Sequence, residues 1–238
     1  MSGMNTAPYQ AFAVEKLGFE FTNLDLLVTA LTHRSYVNEH KKSTKVHNER
    51  LEFLGDAVLE LATTDYLYNN YDEPEGILTS WRAALVRTES IGEAGDKLGY
   101  EPLVRMSKGE KHGSDRARMQ ILANAFEAVI GAIYLERGFE DARDFISKHI
   151  LSKLDGILES GSWRDPKSYL QEVSQRIDGY TPVYKVLHEE GPDHDKVFTL
   201  GVFVGEKKMG EGSGPSKQHA QQEAARAALA AYRAQNQK

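Results

Sequence analysis

The spacing of apolar residues over the first two thirds of the chain most constrains its fold. Between residues 11 and 150 the apolar positions recur mostly every three or four residues, and few stretches alternate as a half-buried strand would. Leu51, Leu54, Val58 and Leu61 illustrate the pattern, because their spacing places them on one face of a helix. The sequence therefore predicts an all-α domain in this part of the chain.

A short segment, mostly of small and polar residues, ends this pattern. It covers residues 159–164, and Pro166 follows at a position suited to the first turn of a new helix. We predict a first domain over residues 1–158, a linker over 159–164 and a second domain over 165–234.

The residues after the linker predict a small α+β domain. Their pattern indicates a helix over 167–177, strands over 183–188, 197–204 and 207–210, a glycine-rich loop, and a helix over 216–232. The predicted order of elements is α-β-β-β-α.

Composition excludes several kinds of chemistry. The 238 residues include no cysteine, so disulfides, thiolate nucleophiles and cysteine-based zinc sites are excluded. The net charge of -6 lies entirely in residues 1–164, because residues 165–238 hold ten basic and ten acidic residues. No segment approaches the roughly 20 apolar residues that span a bilayer, and no secretory signal opens the chain. We expect a cytoplasmic protein without a membrane segment.

The segment 48–59 places several carboxylates on one helical face. At about 100° per residue, Glu52 and Asp56 lie roughly 300° and 340° around the helix from Glu49. Like charges so close together repel, and a bound divalent cation such as Mg²⁺, which prefers oxygen ligands, would relieve the repulsion. For an isolated helix, a solvated acidic face is the more common interpretation.

A second helix strengthens the metal interpretation. Residues 121–134 are apolar on nearly every side, which predicts a buried helix interrupted by Asn124 and Glu127. These two residues are three positions apart and share a face, and a buried ionised Glu is costly without a cation or strong hydrogen bonds. The alternative is a polar pair that holds two helices in register.

The run from Asn48 to Leu59 resembles the signature of the ribonuclease III family, and the resemblance extends to residues 31–35 and 121–135. It implies an endonuclease that hydrolyses double-stranded RNA with Mg²⁺, or with Mn²⁺ in its place, and needs no organic cofactor. It also implies a homodimer in which the motif helix packs against its twin, and products with 5′-phosphate and 3′-hydroxyl ends and short 3′ overhangs.

The same resemblance assigns roles to individual residues. It implies metal ligands at Glu52, Asp56, Asn124 and Glu127, with Asp56 and Glu127 as catalytic residues, and additional acidic positions at Glu49 and Glu75. Asn124 departs from the family, which usually has Asp there. An amide oxygen can still coordinate Mg²⁺, but it adds no charge. For the dimer interface, we expect Phe53 and Leu59 to supply apolar contacts.

The second domain is similar to a double-stranded-RNA-binding domain. The resemblance implies RNA contacts from the first helix, the loop between the first two strands and the start of the last helix, at Gln171, Gln175, His194, Lys217, Gln218 and His219. Glutamine can donate to and accept from 2′-hydroxyls, and a lysine at a helix N-terminus suits a phosphate. If Lys217 and its neighbours are considered alone, the simpler interpretation is that they cap a surface helix and do not bind RNA. The family often has two or three consecutive basic residues at this helix start.

Two points stay open at this stage. Lys108, Lys111, Arg116 and Arg118 form the densest basic stretch of the first domain, and they either guide the RNA backbone or serve only solubility. The leading functional hypothesis is an endonuclease that processes ribosomal RNA precursors and other structured transcripts. A non-catalytic RNA-binding regulator and a metal-dependent nucleotide phosphohydrolase are the alternatives.

Overall fold

The computed structural model describes residues 5–42, 44–192 and 196–236. The chain forms two compact units that divide between Trp163 and Arg164. This division lies inside the predicted linker.

The first unit is all-α, as predicted. Its α-helices are α1 (Ala7–Phe12), α2 (Leu24–Ala30), α3 (Arg34–Glu39), α4 (Glu49–Asn70), α5 (Glu75–Val86), α6 (Thr88–Leu98), α7 (Lys108–Lys111), α8 (Asp115–Arg137), α9 (Phe139–His149) and α10 (Leu154–Ser160). A π-helical segment, Ala13–Leu17, continues α1, and a 3₁₀ turn, Leu151–Lys153, precedes α10.

Helix α8 forms the centre of the first unit. The Ser114 side chain caps its N-terminus by accepting from the Ala117 N–H, and the helix ends at Gly138. Phe126, Ile130 and Ile133 are fully buried along it, and helices α2, α4, α6 and α9 pack around it. The nearly continuous apolar sequence of this segment is therefore explained by burial on several sides.

Helices α4 and α8 cross with their backbones in contact. A Cβ atom added at Gly55 of α4 would overlap the carbonyl oxygen of Glu127, and one added at Gly131 of α8 would overlap the carbonyl oxygen of Leu51. Only glycine at both positions permits so close an approach. The crossing therefore fixes the relative position of the two helices that carry the predicted metal ligands.

One prediction about α4, the dimer contact at Leu59, was wrong, and one leucine of the spaced set lies outside the buried face. Leu61 is 58% exposed, and Leu59, expected at the surface of a dimer, is completely buried. The buried face of α4 is centred on Gly55, Leu59 and Ala62, because the glycine crossing turns this side towards α8. Leu61 lies about 100° around the helix from Ala62 and faces outward.

The second unit has the predicted α-β-β-β-α order. It consists of α11 (Pro166–Asp178), β1 (Val183–Glu190), β2 (Val197–Val204), β3 (Lys207–Gly214) and α12 (Lys217–Asn236), and its antiparallel sheet has the order β1-β2-β3. Strand β3 continues through residues 211–214, where the sequence predicted a loop. Its glycines let α12 lie against the strand, because a Cβ at Gly212 would overlap the Ala224 backbone.

Among the described residues, no helix is both long enough and apolar enough to cross a lipid bilayer.

Replacing Gly55 with alanine should destabilise the first unit. The added methyl group has no space unless α4 and α8 separate, so we expect the free energy of unfolding to fall by about 1–3 kcal/mol. Both tryptophans, Trp81 and Trp163, lie in this unit, so their fluorescence during denaturant unfolding reports on it alone. The control is Gly156→Ala in α10, where a Cβ meets nothing within 4 Å. Equal stability of the two variants would contradict this account of the crossing.

Candidate catalytic and RNA-binding sites

Glu127 occupies the centre of an acidic cluster at the crossing of α4 and α8. Burial, and after it the nearby charges of Asp56, Glu52 and Glu60, together raise its pKa to about 8. Three acids of α4 therefore act on one acid of α8. Among ion pairs between described residues, none involves Glu52, Asp56 or Glu127.

Glu52 shares this environment. Burial raises its pKa, as do the charges of Glu49 and Asp56, while a hydrogen bond with the Asn124 side chain lowers it. The Asn124 Oδ1 atom in turn accepts a hydrogen bond of 2.7 Å from Gln120 Nε2, one turn earlier on α8. The four side chains that the sequence proposed as metal ligands therefore lie in one neighbourhood at the helix crossing, where their electrostatic effects overlap.

The outer acids of the cluster are paired with arginine. Glu49 lies 3.2 Å from Arg34, and Glu60 lies 3.0 Å from Arg82. Sequence reasoning missed Glu60, although it continues the spacing of Glu52 and Asp56 by one more turn of α4. The arginines offset charge at the two ends of the acidic face, and no ion pair between described residues involves the acids in its middle.

Glu75 lies apart from this cluster within a single chain. It begins α5 and lines a cavity with Thr64 and Tyr68. Thr64 is eight residues beyond Asp56, or about 12 Å along the helix. The predicted contribution of Glu75 to the catalytic site therefore stays a prediction, and one chain alone does not account for it.

The donor chemistry of the cluster fits a hard divalent cation. Three carboxylates and one amide supply oxygen atoms of the kind that Mg²⁺ prefers. In the described part of the chain, no three Asp, Glu or His side chains are already gathered closely enough to hold a metal by themselves. Burial and the neighbouring carboxylates raise the pKa of Glu127, and a divalent cation bound here would favour the ionised form of these acids.

His33 has a structural role in the described residues. Its Nδ1 atom caps α3 by accepting from the Ser35 N–H at 3.3 Å, and it also lies 2.8 Å from the Ser35 hydroxyl. Burial lowers the pKa of this imidazole, which suits a neutral acceptor.

The second unit presents glutamines at its surface. Gln171 and Gln175 are exposed on α11, and Gln175 Nε2 donates to the Thr181 hydroxyl at 3.1 Å. Gln171 and Gln218 line the same surface cavity of about 320 Å³ between α11 and the start of α12. Two of the predicted RNA contacts from different helices therefore lie close together.

Other residues predicted to contact RNA lie around the start of α12. Lys217 Nζ is 2.9 Å from a carboxylate oxygen of Glu189 and also lies over the ring of Phe198. His219 is exposed and lies against Gly214. His194 lies outside the described residues.

The basic stretch before α8 divides into two parts. Arg118 forms ion pairs with Glu101 and Asp96, so its charge is locally offset. Lys108 and Lys111 on α7 and Arg116 at the start of α8 are exposed.

Two family models match the two units. The model described as "Ribonuclease-III-like" matches residues 23–154, and the "Double-stranded RNA binding motif" matches residues 166–232. The chain belongs to the ribonuclease III family. As a ribonuclease III with a double-stranded-RNA-binding domain, it is an endoribonuclease that acts on double-stranded RNA.

Curated relatives share both units of this ribonuclease III. Ribonuclease 3 of Oceanobacillus iheyensis is 46% identical over 216 residues, covering 90% of this chain and 94% of the relative. Ribonuclease 3 of Protochlamydia amoebophila is 44% identical over 222 residues, covering 92% and 91%. The similarity therefore extends over nearly the full length of these relatives.

A solved structure resembles the first unit. The nuclease domain of ribonuclease III from Campylobacter jejuni is 41% identical with a TM-score of 0.53, and the match covers 58% of this chain and 94% of that one. That nuclease domain shows structural flexibility in a region involved in dimer formation.

The raised pKa of Glu127 predicts a pH-dependent stability in the presence of a chelator. A carboxyl group whose pKa is about 8 in the folded chain, against an ordinary 4.5, holds a proton that the unfolded chain has released. The free energy of unfolding should therefore fall as pH rises from about 4.5 to 8. Thermal unfolding followed by tryptophan fluorescence measures this slope. Glu127→Gln removes the titration and should flatten it, and an unchanged slope in the variant would contradict the assignment.

Proposed function

We propose that this ribonuclease III is Mg²⁺-dependent and acts as a homodimer, leaving 5′-phosphate and 3′-hydroxyl ends with short 3′ overhangs. The acidic cluster around Glu127 carries the proposal. Its central carboxylates have no cationic partner among the described residues, while the acids on either side pair with arginines. A divalent cation is the partner that this distribution of charge favours.

Glu52, Asp56 and Glu127 would hold the cation through carboxylate oxygens, and Asn124 lines the same position. The bound cation supplies Lewis acidity and lowers the pKa of water, which phosphodiester hydrolysis requires. Asp56 and Glu127, whose charges interact across the crossing, are the proposed catalytic residues. Mn²⁺ meets the same oxygen donors and would replace Mg²⁺. No organic cofactor is needed for this chemistry.

The second unit would hold the duplex. Gln171 and Gln175 project from α11, where their amides can both donate to and accept from 2′-hydroxyls in a minor groove. Lys217 at the start of α12 would exchange its ion pair with Glu189 for a contact with an RNA phosphate. Gln218 and His219, the next two residues, would contact RNA beside it. We assign His194 to the same surface by resemblance, and Lys108 and Lys111 to the RNA path on the first unit.

An apolar stripe on α4 supports the proposed homodimer. Phe53, Leu61 and Tyr68 are 82%, 58% and 78% exposed. Their spacing places all three within an arc of about 80° around the axis of α4. An apolar cavity of about 450 Å³, lined in part by Leu67 and Leu78, adjoins Tyr68. A second copy of the chain, packing its own α4 on this stripe, would bury these side chains. Two active sites in one dimer would cut opposite strands.

The cellular role that we propose is the maturation of ribosomal RNA precursors and the processing of other structured transcripts, in the cytoplasm. The duplex-binding unit supports a preference for structured RNA.

Cleavage of a long RNA duplex tests the catalytic proposal. The protein should shorten the duplex with Mg²⁺ but not with chelator, and Glu127→Gln should lower the rate at least about 100-fold, since one side chain of the cation site is lost. A denaturing gel with end labelling measures the rate and the product ends. In a mobility-shift assay, Glu127→Gln should still bind the duplex, whereas Lys217→Met should bind it more weakly. A duplex that is bound but uncut by the unsubstituted protein under every metal condition would favour a regulator.

Sedimentation velocity tests the homodimer. The unsubstituted chain should sediment as a dimer, and Phe53→Asp as a monomer, because a charge in the apolar stripe cannot be buried without a partner. Ile177→Asp, the same kind of change at an exposed position of α11, is the matched control and should leave the dimer intact. A Phe53→Asp dimer would place the interface elsewhere.

A further inference from the structure

Helix α3 contacts the start of α7 at two places. Ser35 Oγ accepts a hydrogen bond of 3.0 Å from the Ser107 N–H, and Glu39 Oε2 accepts one of 3.3 Å from the Lys108 N–H. Ser107 also caps α7, because its own side chain accepts from the Glu110 N–H at 3.2 Å. Helix α7 has only four residues, and a helix this short has little stability of its own. Its orientation therefore depends on the contacts with α3.

The Ser35 hydroxyl lies in the middle of a chain of hydrogen bonds. Its oxygen accepts from the Ser107 N–H and lies 2.8 Å from His33 Nδ1. Since that Nδ1 atom already accepts from the Ser35 N–H at 3.3 Å, it carries no proton, and the hydroxyl donates to it. Two backbone hydrogen bonds join the same segments, from the Arg105 N–H to the Leu31 carbonyl and from the His33 N–H to the Arg105 carbonyl. The direction of the Ser35 hydroxyl is thus fixed, with its oxygen available to Ser107.

Two basic side chains depend on the position of α7. Lys108 and Lys111 are both exposed, and they are three positions apart, so they share one face of this short helix. Among ion pairs between described residues, none involves either lysine, whereas Arg118 is paired with two acids. These lysines are therefore the members of the basic stretch best suited to meet phosphates.

Helix α3 also reaches the acidic face of α4. Arg34, the neighbour of Ser35, lies 3.2 Å from Glu49, an outer acid of the cluster. Since α3 has six residues, it is only about 9 Å long. One short helix thus contacts both the start of α7 and the helix that carries most of the acidic cluster.

We propose that Ser35 is a positioning residue, which holds α7 so that Lys108 and Lys111 contact the RNA backbone beside the catalytic site. The inference rests on the proposed function, which assigns these lysines to the RNA path. It adds the residue that sets their orientation. Without the hydroxyl, the Ser107 N–H loses its acceptor and α7 can turn. Only the fraction of molecules with both lysines in place would then bind the substrate tightly.

Cleavage kinetics on a short, end-labelled RNA duplex at fixed Mg²⁺ test the inference. Ser35→Ala should raise KM about three- to tenfold and change kcat less than about twofold, because substrate binding is lost and the chemistry is not. The KCl dependence of kcat/KM should become shallower, since fewer phosphates are contacted. The variant with both Lys108→Met and Lys111→Met should show the same changes to at least the same extent.

A triple variant separates positioning from a general loss of stability. Adding Ser35→Ala to the two lysine substitutions should raise KM no further, because Ser35 acts only through these lysines. A destabilised fold would lower the rate in that background as well. Ser152→Ala is the matched control and should leave KM unchanged, because its hydroxyl is exposed and donates to a helical carbonyl, that of Lys148.

The outcomes distinguish this inference from the proposed function. If the lysine variant has a raised KM but Ser35→Ala does not, the positioning role is wrong and the proposed RNA path stands. A further loss in the triple variant, or a lower kcat with unchanged KM in Ser35→Ala, would also overturn it. If the lysine variant cuts RNA with an unchanged KM, the proposed RNA path and the positioning role both fall, while the metal-dependent reaction stands.

Discussion

The crossing of α4 and α8 at Gly55 and Gly131 is the constraint on which the candidate catalytic site depends. With side chains at these positions, the helix backbones would have to separate, and short carboxylates on the two helices would no longer share one site. The residues on either side of the glycines are Glu52 and Asp56 on α4 and Glu127 on α8. The same contact that packs the core of the first unit therefore also brings these carboxylates near one another.

Placing acids together at a packed crossing has an electrostatic cost, and the fold distributes that cost unevenly. Arg34 and Arg82 offset the charge of Glu49 and Glu60, which lie towards the two ends of the acidic face. The central carboxylates form no ion pair within the part of the chain that the structure describes, and burial raises the pKa of Glu127. If a basic side chain offset every acid of α4, the helix would be more stable without metal, but it would bind a cation less tightly. The arrangement thus localises a strong attraction for a cation at one position.

The sequence predicted the elements of this fold better than their contacts. Helical spacing was sufficient to predict the all-α unit and the buried α8, and the polar breaks in α8 identified Asn124 and Glu127. Helical spacing did not show that Leu59 is buried and Leu61 exposed. The spacing of leucines does not reveal that the contact at Gly55 determines which face of α4 is buried. The end of β3 was missed for a related reason: glycines that normally indicate a loop here make room for α12.

The second unit reaches its RNA-binding chemistry through shape more than charge. After Arg164, its remaining ten basic residues are balanced by ten acidic ones, and Lys217, the basic residue at the start of α12, lies 2.9 Å from Glu189. A phosphate must therefore compete with a carboxylate for this lysine, which lowers the attraction for any polyanion. The exposed amides of Gln171 and Gln218, in contrast, line one cavity and, in the binding mode proposed here, would recognise the 2′-hydroxyl groups of an RNA helix. Weak charge combined with specific donors and acceptors favours discrimination of duplex RNA over affinity for nucleic acids in general.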